Sequence, residues 1–150
     1  MSTATNSQNI QVMRDGFRNF VVRVTGEIDL TTAPADVLPI VIANVSTMNP
    51  PCQAVRVDRV KFSLPNGIPL DLQLYWQATT NELFWGMGGG DDNEFANFGG
   101  LTNNASPGAT GNIMFATTGV TGLAPVTTGT ETWTYACIVE CTKLQPQYPL

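Results

Sequence analysis

Residues 20–30 have the sequence Phe-Val-Val-Arg-Val-Thr-Gly-Glu-Ile-Asp-Leu, and this stretch decides the fold class. Large apolar side chains fall on alternate positions, at Phe20, Val22, Val24, Ile28 and Leu30. Most positions between them carry charged or hydroxyl side chains. Successive side chains of a β-strand point to opposite faces, so this alternation predicts a strand with one face in a core and the other in solvent.

The same alternation recurs along the chain. Residues 70–77 (LDLQLYWQ) and 132–142 (TWTYACIVECT) carry it without interruption of the apolar phase. Residues 55–64 carry it with a change of phase from odd to even positions, which predicts a β-bulge near Asp58 or Arg59. Weaker strands are expected at 10–13, 82–87 and 112–118. The chain therefore reads as a series of strands with almost no helical periodicity.

Clusters of glycine, proline and asparagine separate these strands, as turns require. Short strands at such spacing predict an all-β fold: a single-domain antiparallel β-sandwich or jelly roll of about eight strands. We expect a domain at 14–143, an extended N-terminal arm at 1–13 and a C-terminal tail at 144–150. The predicted core contains Phe20, Val22, Val24, Phe62, Leu72, Leu74, Trp76, Phe115, Tyr135 and Val139.

Composition removes many function classes. The 150 residues include 7 Lys and Arg, 12 Asp and Glu and no His, which gives a net charge of -5. Without histidine, Ser-His-Asp triads, Cys-His dyads and histidine zinc sites are excluded, so we expect no enzyme, no catalytic residues, no metal site and no cofactor. Nucleic-acid binding needs clustered Lys and Arg, so nucleic acid is not an expected partner.

Location and redox state follow from two further features. The first residues lack the basic and apolar regions of a signal peptide, and no stretch approaches the ~18 apolar residues of a membrane span. We therefore expect synthesis in the cytosol and no membrane partner. Three cysteines fit a reducing compartment. Cys137 and Cys141 on one strand would lie ~13 Å apart, too far for a disulfide, whereas a pairing of Cys52 stays open.

Three local patterns have a functional and a structural interpretation. The acidic segment Gly88–Glu94 offers oxygen ligands for Ca²⁺, but it lacks EF-hand spacing and an exposed hairpin tip is favoured. Trp85 beside this segment could stack on a sugar ring. Tryptophans that fall in phase with the core positions of other strands are instead expected to pack inside the fold. Asp71 and Glu140 lie on polar strand faces, and a glycosidase pair would require them to face each other across a cleft.

Several segments carry a resemblance to a known family. They are RDGFRNFVVRVTG at 14–26, RVDRVKFSL at 56–64, LQLYWQATT at 72–80 and FANFGGLTNNASPGATGNIMFATTG at 95–119. Together they resemble a family of small virion proteins encoded by tailed bacteriophages. Phe17 stands where the family often has proline, and the glycine-rich loop before Phe95 is longer than usual.

The resemblance implies a non-enzymatic structural protein of the virion. Its role would be that of a capsid decoration or cement protein, located on the capsid exterior after assembly in the host cytoplasm. The implied partners are the major capsid protein and further copies of the chain, with a trimer as the implied oligomer. A carbohydrate-binding, lectin-like module and a tail- or fibre-associated virion module are the alternatives.

Contact residues are expected in the arms and in the run VLPIVIANV at 37–45, which is apolar in both phases. Apolar surface of this kind is more naturally covered by a neighbour than left in water. The polar head of the chain can add a strand to a sheet edge, and prolines around Tyr148 favour an extended tail. The predicted contacts with the capsid or a neighbouring subunit are Ile10, Val12, Met13, Ile40, Ile42, Tyr148 and Leu150.

Overall fold

The computed structural model describes residues 6–31, 34–65, 67–88, 91–125 and 132–146. These residues form nine β-strands and one short 3-10 helix, Ala96–Phe98. The strands are β1 (Asn6–Asp15), β2 (Asn19–Asp29), β3 (Ile40–Ala43), β4 (Ala54–Ser63), β5 (Asp71–Trp76), β6 (Glu82–Met87), β7 (Asp91–Glu94), β8 (Ile113–Thr118) and β9 (Thr132–Leu144). Within the described ranges, no helix is long and apolar enough to cross a membrane.

The strands form two sheets that pack face to face. A five-stranded sheet has the order β1-β2-β9-β4-β7, and a four-stranded sheet has the order β3-β8-β5-β6. Every pairing is antiparallel. The predicted all-β sandwich is therefore confirmed.

The core lies between the two sheets. Nine of the ten predicted core residues are buried, and Phe62, at the rim, is only partly buried. In β2 the buried positions alternate with half-buried ones, as the pattern of residues 20–30 predicted. Each fully buried apolar side chain contributes roughly 1.5–3 kcal/mol.

The change of apolar phase in β4 has the predicted cause. Pairing between β4 and β9 shifts register between Val57 and Arg59, which marks a β-bulge at Asp58. The extra residue lets Val57 and Val60 both face the core, where each is 0% exposed. A strand without the bulge would turn one of these two valines to solvent.

Part of each predicted arm belongs to a strand of the sandwich. Residues 6–13, most of the predicted N-terminal arm, lie in β1 and pair with β2. At the other end β9 continues to Leu144. Tyr148 and Leu150 lie outside the described residues.

Candidate interaction surface

Strand β1 forms one edge of the five-stranded sheet. It pairs with β2 from Asn6 opposite Ile28 to Asp15 opposite Phe20. Its other edge faces away from the sheet, and residues 7–15 are exposed on both faces of the strand. Such an edge presents backbone N–H and C=O groups that another strand can pair with.

Two apolar side chains of β1 point toward the inside of the sandwich without being covered. Directly opposed residues of a sheet share a face, so Ile10 opposite Val24 and Val12 opposite Val22 both lie on the inner face. The two β2 valines are 0% exposed, whereas Ile10 is 39% and Val12 51% exposed. Strand β3, the edge of the smaller sheet, approaches β2, and β1 lies one strand farther out. The inner face of β1 therefore overhangs the smaller sheet.

Exposed apolar side chains continue past the end of this overhang. A register shift between Val12 and Arg14 leaves Met13 at a bulge, with 51% of its surface exposed. The turn to β2 is closed by the Gly16 N–H, which donates to the Asn19 carbonyl at 2.8 Å, and it exposes 68% of Phe17. We call Ile10, Val12, Met13 and Phe17 the β1 surface.

A buried cation anchors the end of β1. The Lys143 side chain is 0% exposed and its Nζ donates to Asp15 Oδ1 at 2.6 Å and to the Pro50 carbonyl at 2.9 Å. The second carboxylate oxygen of Asp15 accepts from the Asn49 N–H at 3.0 Å. Because a buried charge without partners costs several kcal/mol, this network fixes Asp15 against β9 and the loop at Asn49.

Gly26 of β2 and Tyr135 of β9 make a close contact beside the N-terminal half of β1. Gly26 lies opposite both Gln8 of β1 and Tyr135 of β9. A Cβ atom at Gly26 would lie 2.1 Å from the Tyr135 ring, so only glycine leaves room for the ring to cross β2. Burial raises the pKa of Tyr135 to about 12, and its hydroxyl has no hydrogen-bond partner within the described residues.

The other three sheet edges carry devices that discourage strand addition. Strand β7 has four residues, three of them acidic, and Arg59 and Asp92 form an ion pair there. Strand β3 also has four residues, and Pro39 directly precedes it. Strand β6 starts at Glu82, and its pairing with β5 is interrupted by a bulge. Short length, charge and bulges all reduce edge-to-edge pairing, and of these β1 has a bulge, at Met13, and charges only at its end.

The predicted contact residues divide into three groups. Ile10, Val12 and Met13 lie together on β1 and are exposed. Ile42 is 5% exposed and Ile40 is partly buried, because β3 packs both against the core. The run at 37–45 instead exposes Leu38, at 78%. The two tail residues lie outside the described residues.

The structure adds exposed apolar residues that the sequence did not single out. Phe17, Leu38, Leu83 and Phe98 are at least 48% exposed. Phe98 lies in a segment that carries the resemblance and Leu83 in a predicted strand, but neither position shows a pattern that distinguishes exposed from buried. Whether such a side chain is buried depends on how closely a neighbouring strand or loop packs against it.

The acidic segment Gly88–Glu94 contains a strand that the sequence did not predict. Its residues 91–94 pair with β4, although Asp and Asn disfavour strands, because the β4 backbone supplies hydrogen bonds. The expected hairpin tip is therefore a connection between the two sheets. The described residues contain no group of three or more acidic or cysteine side chains that could hold a metal ion.

The tryptophans are engaged in packing. Trp76 is 1% exposed and stacks on Phe84 with ring centroids 4.0 Å apart. Trp85 is half-buried; it packs edge-on against Phe95 at 4.6 Å, and its Nε1 donates to Asn93 Oδ1 at 3.1 Å. These contacts occupy part of each ring that a sugar would need.

The remaining candidates are distributed across the molecule. Asp71 and Glu140 belong to different sheets and lie on opposite outer faces, so they do not form a pair. Cys52, Cys137 and Cys141 are buried free thiols. Burial raises the pKa of Cys137 to about 12, and it raises the pKa of the other two thiols as well, which keeps all three unreactive at neutral pH.

A shallow polar groove crosses the outer face of the five-stranded sheet. It has a volume of about 510 Å³. Hydroxyl, amide and carboxylate groups line it, at Ser7, Asn9, Thr25, Glu27, Ser63 and Thr134.

Comparison with models of known protein families finds no match. A comparison with curated proteins also finds none.

Proposed function

We propose that the protein is a non-enzymatic structural protein of a tailed-phage virion, a capsid decoration protein that binds and stabilises the lattice of the major capsid protein. The resemblance of segments within residues 14–143 motivates this role. The observation that carries it is β1, a ten-residue edge strand with no charge from Asn6 to Met13 and three exposed apolar side chains. A strand of this kind is suited to assembly with other chains.

The chemistry of the β1 surface favours a protein partner. Ile10, Val12, Met13 and Phe17 offer apolar side chains, and the two cations beside them in the sequence, Arg14 and Arg18, are accompanied by Asp15. The net charge of -5 disfavours phosphate backbones, while backbone pairing and apolar contacts need no charge on the partner. We propose self-association as a second part of the role, with a trimer as the state that the resemblance implies.

The strand order supports a jelly-roll connectivity for β2–β9. Consecutive strands alternate between the sheets except at β5 and β6, which are neighbours in one sheet. Jelly rolls occur in viral capsid proteins and in lectins. The fold is therefore compatible with the virion role and with the carbohydrate alternative, and it does not choose between them.

The test is occupancy on purified capsids that lack the protein. We expect Val12→Lys to lower occupancy at least tenfold, because a charge on the inner face of β1 opposes both apolar contact and strand addition. Leu83→Lys is the matched control: Leu83 is 48% exposed on a different edge strand, against 51% for Val12. Binding of wild type and Leu83→Lys with loss for Val12→Lys supports the proposal.

Two outcomes would contradict this role. Wild-type protein that does not bind capsids and is missing from purified virions by mass spectrometry removes the virion assignment. Equal binding by wild type, Val12→Lys and Leu83→Lys keeps a capsid role but removes β1 from it. Circular dichroism of each variant shows whether the β fold is retained.

The polar groove supports a second candidate function, binding of a carbohydrate. Its hydroxyl, amide and carboxylate groups can hydrogen-bond sugar hydroxyls. A glycan array tests it, with Thr25→Lys as the variant that fills the groove. Specific glycan binding that Thr25→Lys removes and Val12→Lys retains would favour this function over capsid decoration.

A further inference from the structure

The free edge of β1 has the properties of a self-pairing strand. Two copies that each carry a charge of -5 repel one another unless the contact is nearly uncharged. From Asn6 to Met13 the strand has no charged residue, and Arg14 and Asp15 at its end have opposite signs. The strand itself therefore adds little like-charge repulsion to a contact between two copies, although on the outer face the Arg23 side chain of β2 donates to the Gln11 side chain.

We infer that β1 pairs antiparallel with β1 of a second copy about a twofold axis at Gln11, so that the two five-stranded sheets become one continuous sheet. The contact involves this chain alone, but it uses the same edge of β1 as the proposed capsid contact, so one copy of β1 makes one of the two contacts at a time. Being twofold, it joins subunits in pairs, and it would connect two trimers rather than close one.

The register follows from the faces of the strand. Twofold antiparallel pairing places like faces opposite each other, so inner-face residues must meet inner-face residues. With the axis at Gln11, Ile10 of each copy lies opposite Val12 of the other. An axis at Ile10 would place Val12 opposite the polar Gln8, and an axis at Val12 would place Ile10 opposite the irregular stretch that follows the bulge at Met13. The Gln11 axis alone matches both apolar side chains.

The pairing also covers the overhang. Ile10 and Val12 of both copies would form one apolar cluster beneath the joined sheet, in the space left beyond the two β3 strands. With the axis at Gln11, the nine residues 7–15 lie opposite one another, which gives a contact about 30 Å long that is small for a protein interface. We therefore expect reversible dimers whose population rises with concentration.

Disulfide trapping tests the register. Directly opposed residues have Cα atoms about 4.5–5.5 Å apart, which is within disulfide range. Gln11→Cys places two thiols at the axis, while the native cysteines are buried and do not compete. Asn9→Cys is the matched control on the same face, because its copy lies about 13 Å away across the axis.

We expect Gln11→Cys to form a covalent dimer under mild oxidation at least tenfold faster than Asn9→Cys. Adding Val12→Lys to Gln11→Cys should slow the reaction to the rate of Asn9→Cys. Equal rates for the two single variants would mean random collision and would overturn the inference. A Gln11→Cys protein that stays monomeric at millimolar concentration, while retaining its β circular dichroism, would also overturn it and leave the edge to a different protein's strand.

Discussion

The two edge strands of the five-stranded sheet differ in how far they are protected against pairing with another chain. At one edge, β7 is four residues long and presents acidic side chains, with Asp92 paired to Arg59. At the other, β1 is ten residues long, uncharged over residues 6–13 and exposed on both faces. Natural sheets normally shorten or charge an edge to prevent pairing with other chains. This contrast within one sheet is the basis on which we propose β1 as a contact edge.

The ion pairs of the two edge strands also differ, in how far each pair is buried. Asp15 of β1 binds a lysine with 0% exposure, while the Arg59 and Asp92 side chains are 38% and 43% exposed. Loss of one partner of a buried ion pair leaves an uncompensated buried charge, which is costly. In an exposed pair, solvent screens the charge that remains. Substitutions at both ends measure this difference.

The largest effect is expected for Asp15→Ala. It leaves the Lys143 cation buried with the Pro50 carbonyl but without its carboxylate, and we expect a loss of about 3 kcal/mol of unfolding free energy. Urea denaturation measures it. Asp15→Ala with Lys143→Met should recover much of the loss, because the second change removes the unpaired charge. A single variant as stable as the wild type would show that Lys143 is not held as described.

Gly26→Ala is the next largest. The added methyl group would meet the Tyr135 ring at 2.1 Å, which forces the ring or β2 to move and costs about 2 kcal/mol. Gly86→Ala in edge strand β6 is the control, since nothing lies within 4 Å of its added Cβ. Equal denaturation midpoints for the two variants would contradict the close approach. Loss of β1 pairing in Gly26→Ala would appear as faster amide exchange at residues 6–12.

Tyr135→Phe should be neutral or stabilising by up to about 1 kcal/mol, because it removes a buried hydroxyl without a hydrogen-bond partner. Burial raises the pKa of Tyr135 to about 12, above the usual tyrosine value of 10.0. Unfolding lets the phenol ionise, so stability is full below pH 10 and falls between pH 10 and 12. The variant should decline less steeply in that window in denaturation curves. An identical decline would assign the alkaline loss to the buried cysteines.

The smallest effect is expected at β7. Asp92→Ala removes an exposed ion pair, so its effect on unfolding free energy at neutral pH should be much smaller than that of Asp15→Ala. The hydrogen bond from Arg59 lowers the pKa of Asp92 below 3.8, so any contribution is present above that pH and is lost as the pH falls through the lower value. A stability loss equal to that of Asp15→Ala would remove the distinction between the edges.

Periodicity and side-chain type predicted the parts of the structure that depend on near neighbours in the chain. The faces of β2, β5 and β9, nine of the ten core residues and the bulge at Asp58 follow from alternation alone. Alternation works here because one face of each strand is buried by the opposite sheet. Phe62 is the exception because the end of β4 reaches the rim of the sandwich.

Three features depended on partners far away in the sequence. The acidic β7 becomes a strand through pairing with β4, about 30 residues earlier, against its own propensity. Lys143 is buried because Asp15 and Pro50 supply its oxygens. Ile10 and Val12 have the same alternation as the core valines opposite them, yet they stay exposed because β3 ends the smaller sheet beneath β2.

The sequence by itself thus determined the fold class, the strand faces and the uncharged character of residues 6–13, because these properties are local or compositional. Only the tertiary structure decided that β1 is a long edge strand and that its inner face overhangs the smaller sheet. The physical reason is that burial depends on what lies opposite a strand, and the widths of the two sheets are set by pairings between distant segments.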